Sequence, residues 1–259
     1  FAAVSSGIMS VNKKVLYVGM VPTDVVYTLS GIKNLPGLII TASHNPKEYT
    51  GMKFCNVGAV AIGQETGLKE IQKFAENFDD DFIISALPER QTMNQLYLEH
   101  FKKIVNPSEI SDKVKFSIDA GNGVLGAIID DLSKTFNLNF EGLYMDVDGN
   151  FPNHPADPSD ENNLLDLKDK VISQNLDFGV AFDGDADRSV FIDDKGNLIS
   201  GSLMTCLISD WLFEKKSEIK VVHNVNVQPS VVKYLNDKGI KTIRSKVGHS
   251  YICLLYTSP

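Results

Sequence analysis

Phe178-Gly179-Val180-Ala181-Phe182-Asp183-Gly184-Asp185-Ala186-Asp187-Arg188-Ser189-Val190-Phe191-Ile192 is the stretch that decides how this chain is read. Two apolar runs of strand length, Phe178–Phe182 and Ser189–Ile192, bracket the polar segment Asp183–Arg188. Runs of this kind read as buried strands, so the segment between them is a loop held by a sheet. Within it, Asp183, Asp185 and Asp187 alternate. Like charges packed this closely are costly unless a cation neutralises them, and alternate placement on a loop lets all three face one point. Hard oxygen ligands suit Mg²⁺, which keeps positions open for phosphate oxygens. An EF-hand would require Gly at the sixth position and Glu at the twelfth. Arg188 and Asp194 stand there, and the flanks are strands, which excludes that reading. A merely solvated turn gains nothing from three alternating aspartates between buried strands.

Outward from this stretch, strand-like and helix-like segments alternate, the mark of an α/β protein. Downstream, Asp194-Lys195-Gly196-Asn197 predicts a tight turn. A third unit is expected from Gly201, with a helix through Trp211, a strand at Val221–Val222, a helix at Pro229–Asn236 and a strand at Lys241–Ile243. Upstream, Ser159 or Asp160 caps a helix running to about Gln174, and the Pro-, Asn- and Asp-rich stretch Asp146–Pro158 is a loop. A strand at Val114–Ile118 leads into the turn Ala120-Gly121-Asn122-Gly123 and a helix burying Leu125, Ile128, Ile129, Leu132 and Phe136. Asn106-Pro107-Ser108 reads as a boundary. Before it stand strands at Val15–Val18 and Gly37–Ile40 and helices at Gly67–Phe78 and Thr92–Ile104; the first of these helices carries Leu68, Ile71, Phe74 and Phe78 at amphipathic spacing.

A second chemical motif, Thr41-Ala42-Ser43-His44-Asn45-Pro46, follows the apolar run Gly37–Ile40. A residue before proline is pushed out of helical conformation, so Asn45-Pro46 forces a turn and exposes Ser43 at a strand end. A serine hydroxyl needs a base, a cation or a metal to act as a nucleophile. If it stores a phosphate, it needs positive charge against roughly two negative ones. His44 and Lys53 are the nearby candidates. A Ser-His pair alone is common in turns; the whole hexapeptide after a strand, with Gly51-Met52-Lys53-Phe54 following, is far more specific.

The chain has 259 residues, 43 % hydrophobic and 22 % charged, with a net charge of −8. Length and composition fit a globular protein of two or more domains. The acidic balance argues against a nucleic-acid surface, and no apolar run approaches the roughly 20 residues of a membrane span. Cys55, Cys206 and Cys253 are odd in number and far apart, which excludes a disulfide framework and a cysteine zinc site. A reducing cytoplasm is the expected compartment.

Two further functional readings of the acidic loop stay open at this level. One is an aspartyl-phosphate phosphotransferase of the haloacid-dehalogenase type with Asp183 as nucleophile, whose motif has Thr or Val where this chain has Asp187. The other is a non-catalytic pseudoenzyme that binds metal or phosphosugar.

Taken together, the motifs resemble the α-D-phosphohexomutase family, and within it the phosphomannomutase/phosphoglucomutase branch. The resemblance extends to about Tyr251 and rests on Gly19–Thr23, Thr41–Pro46 with Gly51–Lys53, Asp119–Gly123, Asp148–His154, Ala181–Arg188 and Val247–His249. It implies consecutive mixed-sheet α/β domains, two near-complete and part of a third: residues 1–104, 105–199 and 200–259. It implies Ser43 as the phosphoserine, with Mg²⁺ held by Ser43, Asp183, Asp185 and Asp187. Arg188 would contact phosphate, Lys53 would assist proton transfer or balance phosphate charge beside His44, and His249 would approach the sugar. The implied reaction moves a phosphoryl group between C1 and C6 of a mannose or glucose phosphate through a 1,6-bisphosphate, with glucose 1,6-bisphosphate or an equivalent as activator. The resemblance also sets the expectation that this is an N-terminal piece, poorly active alone, whose tail Cys253–Pro259 is not native.

Overall fold

The computed structural model describes residues 1–78, 84, 87–248, 251–253 and 255. The first unit contains helices α1 (Ala2–Ser10), α2 (Thr23–Lys33) and α3 (Leu68–Glu76) and strands β1 (Gly37–Ile40), β2 (Met52–Asn56) and β3 (Val60–Ala61). Its strands form one antiparallel sheet in the order β1-β2-β3, with Ile39 opposite Lys53. Next comes α4 (Asn94–Phe101). The second unit contains β4 (Phe116–Asp119), α5 (Ile129–Phe136), β5 (Phe140–Leu143), α6 (Leu165–Ser173), β6 (Phe178–Phe182), β7 (Ser189–Asp193) and β8 (Leu198–Ile199), and α4 packs both on its α5 and on α2 of the first unit. The third contains α7 (Gly201–Lys216), β9 (Lys220–His223), α8 (Pro229–Asp237) and β10 (Lys241–Arg244), the two strands parallel.

The second unit sets the frame. Its sheet runs β5-β4-β6-β7-β8, with β5, β4 and β6 parallel and β7 and β8 antiparallel. Parallel neighbours require long crossovers, supplied by α5 and by α6 with its preceding loop. The antiparallel step from β6 to β7 needs only a hairpin, and the acidic loop is that hairpin. The turn after β7 is fixed by Asp193, whose Oδ1 accepts the backbone N–H groups of Lys195 (3.0 Å) and Asn197 (2.7 Å). One sheet face packs on Leu164, Leu167 and Val171; Gly179 lets α6 approach, since a Cβ there would lie 2.9 Å from Leu167 and Val171. The other face contributes Ile118 and Val180 to a core that also holds Val25 and Leu29 of α2, Leu98 of α4 and Phe136 of α5. The first two units therefore share buried apolar surface. Separately, Val231, Leu235 and Ile240 form the core of the third unit.

Several expectations need correction. Val15–Val18 does not form a ladder; Tyr17 makes a single bridge to Arg90. A strand exists only through its pairing, and a cavity of about 850 Å³ separates this run from β1. The helix expected at Thr92–Ile104 is shorter, and the one after Gly123 breaks between a 3₁₀ turn at Val124–Ala127 and α5. Gly126 explains the break: its Cα sits so tightly on the Met145 carbonyl that no side chain fits. The periodic face of α3 is not buried, with Phe74 79 % exposed. Sequence periodicity did not reveal α1, α2, β2, β3 or β5.

Candidate metal centre

The acidic loop spans the end of the β6/β7 hairpin, closed by the Asp183 N–H donating to the Arg188 carbonyl at 3.2 Å. Ala186 adopts a left-handed backbone, φ 56°, where the Ala186 N–H donates to the Asp183 carbonyl at 3.0 Å. This tight turn brings one carboxylate oxygen from each of Asp183, Asp185 and Asp187 within 4.8 Å of the others. Asp183 and Asp185 are buried, while Asp187 is at the rim.

The Ser43 turn comes from the other unit. Thr41 follows β1 and donates its N–H to the Gly51 carbonyl at 3.0 Å, so the loop between β1 and β2 is cinched at its base. The Thr41 hydroxyl accepts the Ser43 N–H at 2.8 Å, and the Asn45 N–H donates to the Ala42 carbonyl at 3.0 Å. Between these bonds Ser43 is held at φ 56°, a region uncommon for residues other than glycine. Strain of this kind persists only where the surroundings fix it, and it clusters at functional sites. The turn aims the Ser43 hydroxyl at the acidic loop. It donates to Asp183 Oδ2 at 3.1 Å and accepts from Arg188 Nη2 at 3.0 Å. Gly184 makes the approach possible, with its Cα packed on the Ser43 carbonyl.

Every other expected residue that the structure describes converges on the same place. Lys53 Nζ, on β2, bridges Asp185 Oδ2 (2.6 Å) and Asp187 Oδ2 (2.5 Å). Arg188 donates from Nε to Asp183 Oδ2 at 2.9 Å, and its Nη2 also contacts His44 Nδ1. The backbone N–H groups of Asp187 and Arg188 hold Asp183 Oδ1 at 3.1 and 3.0 Å. His249 lies outside the described residues.

Two residues that the sequence offered only as parts of motifs, with no role of their own, also reach the loop. Thr23, the first residue of α2, donates its hydroxyl to Asp185 Oδ2 at 2.9 Å and its N–H to the Asp185 carbonyl at 3.0 Å. Thr41 donates its hydroxyl to the same Oδ2 at 3.0 Å. The start of α2 thus sets the positive end of a helix against the loop. The available signal was the Pro22-Thr23 pair, a helix-start pattern.

The electrostatics follow from these contacts. Burial pushes the Asp183 carboxyl up, against the backbone bond from Arg188. Burial acts the same way on Asp185, but the Lys53 bond and charge, with Thr23 and Thr41, carry it below the usual carboxylate range. Lys53 is held above its ordinary value: burial opposes its charge, and the Asp185 and Asp187 bonds overcome it. Asp185 Oδ1 is buried and has no hydrogen-bond partner among the described residues. A buried, unpartnered carboxylate oxygen is expensive, and a hard divalent cation is the group that would satisfy it. Donor chemistry and clustering therefore fit Mg²⁺.

A chain of mixed α/β units in series, with an acidic hairpin loop at a sheet end facing a serine turn, has the architecture of the α-D-phosphohexomutases. It matches the phosphoglucomutase/phosphomannomutase alpha/beta/alpha domain I over residues 1–81, domain II over 95–196 and domain III over 200–256. It is 31 % identical over 257 residues to a phosphomannomutase of Vibrio cholerae, covering 96 % of this chain and 55 % of the relative. A phosphomannomutase/phosphoglucomutase of Pseudomonas aeruginosa is also 31 % identical, over 95 % of this chain and 52 % of its own. The crystal structure of a phosphoglucomutase/phosphomannomutase family protein from Burkholderia thailandensis superposes with a TM-score of 0.81 at 28 % identity, over 97 % of this chain and 56 % of that one. The chain belongs to the phosphoglucomutase/phosphomannomutase family. It spans about half the length of the curated relatives it matches.

Proposed function

We propose that this chain carries the phosphoryl-donor and metal-holding part of a hexose-phosphate mutase, an isomerase working by phosphoryl transfer. The observation that carries the reading is the convergence of the Ser43 hydroxyl with Asp183 (3.1 Å) and Arg188 (3.0 Å) across two separate units. In this reading Ser43 stores the phosphate. Its Oγ–P bond breaks as a bond forms to a hydroxyl oxygen at C1 or C6 of the sugar phosphate. The sugar hydroxyl proton ends on the Ser43 oxygen, which is restored as a hydroxyl, and in this reading Lys53, held charged by Asp185 and Asp187, balances the phosphate charge. The resulting 1,6-bisphosphate returns its other phosphate to Ser43, so the product is the isomeric monophosphate. Glucose 1,6-bisphosphate or an equivalent primes Ser43.

Asp183, Asp185 and Asp187 would hold Mg²⁺ together with an oxygen on Ser43. The ion supplies charge stabilisation for the transferring phosphoryl group. Arg188, already bonded to the Ser43 oxygen, steadies the phosphate, and His44 faces the same guanidinium. Positioning and charge do most of the work in this chemistry, and the side chains present are of that kind. The names of the relatives support mannose and glucose phosphates as substrates.

The aspartyl-phosphate alternative is disfavoured by the environment of Asp183. Its Oδ1 accepts two backbone N–H groups, its Oδ2 accepts Arg188 and Ser43, and the side chain is fully buried. Such a carboxylate is a poor nucleophile. Peptide mass spectrometry after incubation with glucose 1,6-bisphosphate and Mg²⁺ tests the proposal. Acid-stable phosphate on Ser43 supports it; an acid-labile acyl phosphate on Asp183, or no phosphate on Ser43, overturns it. Phosphorylation of Ser43 without conversion of mannose or glucose 1-phosphate would favour the pseudoenzyme.

A further inference from the structure

We infer that His154 is a positioning residue for the metal loop and that it does this as an imidazolium locked to Asp119. The inference rests on the metal-site reading proposed above. Asp119 ends β4 beside Ala181 of β6, two residues before Asp183, and is completely buried. Its Oδ1 accepts the Gly121 N–H at 2.8 Å, and its Oδ2 lies 3.0 Å from His154 Nε2. The other ring nitrogen, Nδ1, lies 2.8 Å from the Pro155 carbonyl oxygen. Both partners are acceptors, and a neutral imidazole has one N–H for the two of them. Only the doubly protonated ring satisfies both contacts. The bond from Asp119 leads the causes that raise the histidine's affinity for its proton, against burial. The other groups facing the ring are Tyr144, edge-on at 5.3 Å, and Asp166 of α6, which accepts the Tyr144 hydroxyl.

The latch acts on the metal loop through packing. His154 sits inside the loop 146–158, and Phe151 and Ala156 from that loop lie against Gly184. The same face of Gly184 meets the Ser43 carbonyl, and the Gly184 carbonyl accepts the Val124 N–H at 3.0 Å. The residue between Asp183 and Asp185 therefore packs in one crowded corner against both the serine turn and the loop that His154 pins down. A neutral tie, Asn153 Nδ2 to Asn122 Oδ1 at 2.8 Å, holds the neighbouring part of the loop. Removing the charged tie leaves the loop attached but loose.

The test measures divalent-ion affinity of the full chain by Mn²⁺ electron paramagnetic resonance and Mg²⁺ calorimetry, in the wild type, His154→Ala and His154→Gln, alongside unfolding temperature. Removing a group bonded directly to a metal ligand costs about tenfold or more in affinity; His154 acts one step further out through packing, so a weakening of up to about tenfold is expected for His154→Ala in protein that is still folded. Partial recovery is expected for His154→Gln, which retains a donor. Wild-type affinity should fall above the histidine titration, and this inflection should vanish in both variants. Nitrogen-15 shifts of His154 should show both ring nitrogens protonated at neutral pH. A neutral ring, or unchanged affinity in either folded variant, overturns the inference. If the wild type binds no divalent ion, the metal-site reading itself fails, a separable result. Should His154→Ala not fold, the nitrogen shifts and His154→Gln still decide.

Discussion

Replacing Gly184 by alanine should drive the two halves of the candidate site apart. A Cβ at this position would lie 2.7 Å from the Ser43 carbonyl oxygen, against 3.4 Å for ordinary contact. The nearest obstacle is a backbone carbonyl, so it cannot swing away as a side-chain end would. Relief requires the Ser43 turn and the acidic loop to separate by about 0.7 Å, and overpacking of this sort costs about 1–3 kcal/mol. The same displacement, added to the 3.1 Å bond between Ser43 and Asp183, takes it beyond hydrogen-bonding range. Gly149→Ala is the matched control, since a Cβ there meets nothing within 4 Å. Urea unfolding and Mg²⁺ calorimetry on both variants provide the assay. Gly184→Ala should lose stability by the stated amount and bind Mg²⁺ more weakly, while Gly149→Ala should match the wild type. Wild-type stability and Mg²⁺ affinity in Gly184→Ala would refute the claim that close backbone approach sets this site.

Lys53→Met removes the ammonium that bridges Asp185 and Asp187. Because Lys53 is partly exposed, the expected loss is about 1–3 kcal/mol without divalent ions, and it should narrow when Mg²⁺ is added; an equal deficit in both conditions would argue against a shared charge-neutralising role. Phe136→Ala deletes a side chain that is 2 % exposed and packs edge-on to Phe101 at 5.1 Å. It should cost about 3–5 kcal/mol and raise hydrogen exchange in α2 and α4 as well as in α5, since one core serves both units. The His154–Asp119 pair also makes a pH prediction. The native histidine pKa is raised, so its stabilisation is fully present below the ordinary value of 6.5 and is lost as pH rises through the higher native value. Urea midpoints of wild type and His154→Gln, compared across pH, should therefore converge on the alkaline side.

The acidic loop and its flanking strands were legible because a run of apolar residues broken by alternating aspartates admits few physical explanations. Ser43 was legible through the proline that forces its turn. Other parts of the fold were not. The first apolar run, Val15–Val18, carries every local mark of a strand, yet pairing is a property of neighbours, and among the described residues only Tyr17 has one. The stripe on α3 predicts burial, but nothing covers Phe74 among the described residues. Thr23 and Thr41 look like ordinary polar residues in the chain, and their role depends on where Asp185 arrives from a position more than a hundred residues away.

By itself the sequence determined the chemistry on offer: which oxygens, which cations and which turns. These are local matters, settled by residue type, spacing and backbone sterics. Only the tertiary structure decided that Ser43, Lys53 and Arg188 meet the three aspartates at one point, and that His154 pairs with the buried Asp119. Charge neutralisation and hydrogen bonding act over a few ångströms of space, and distance along the chain does not fix distance in space.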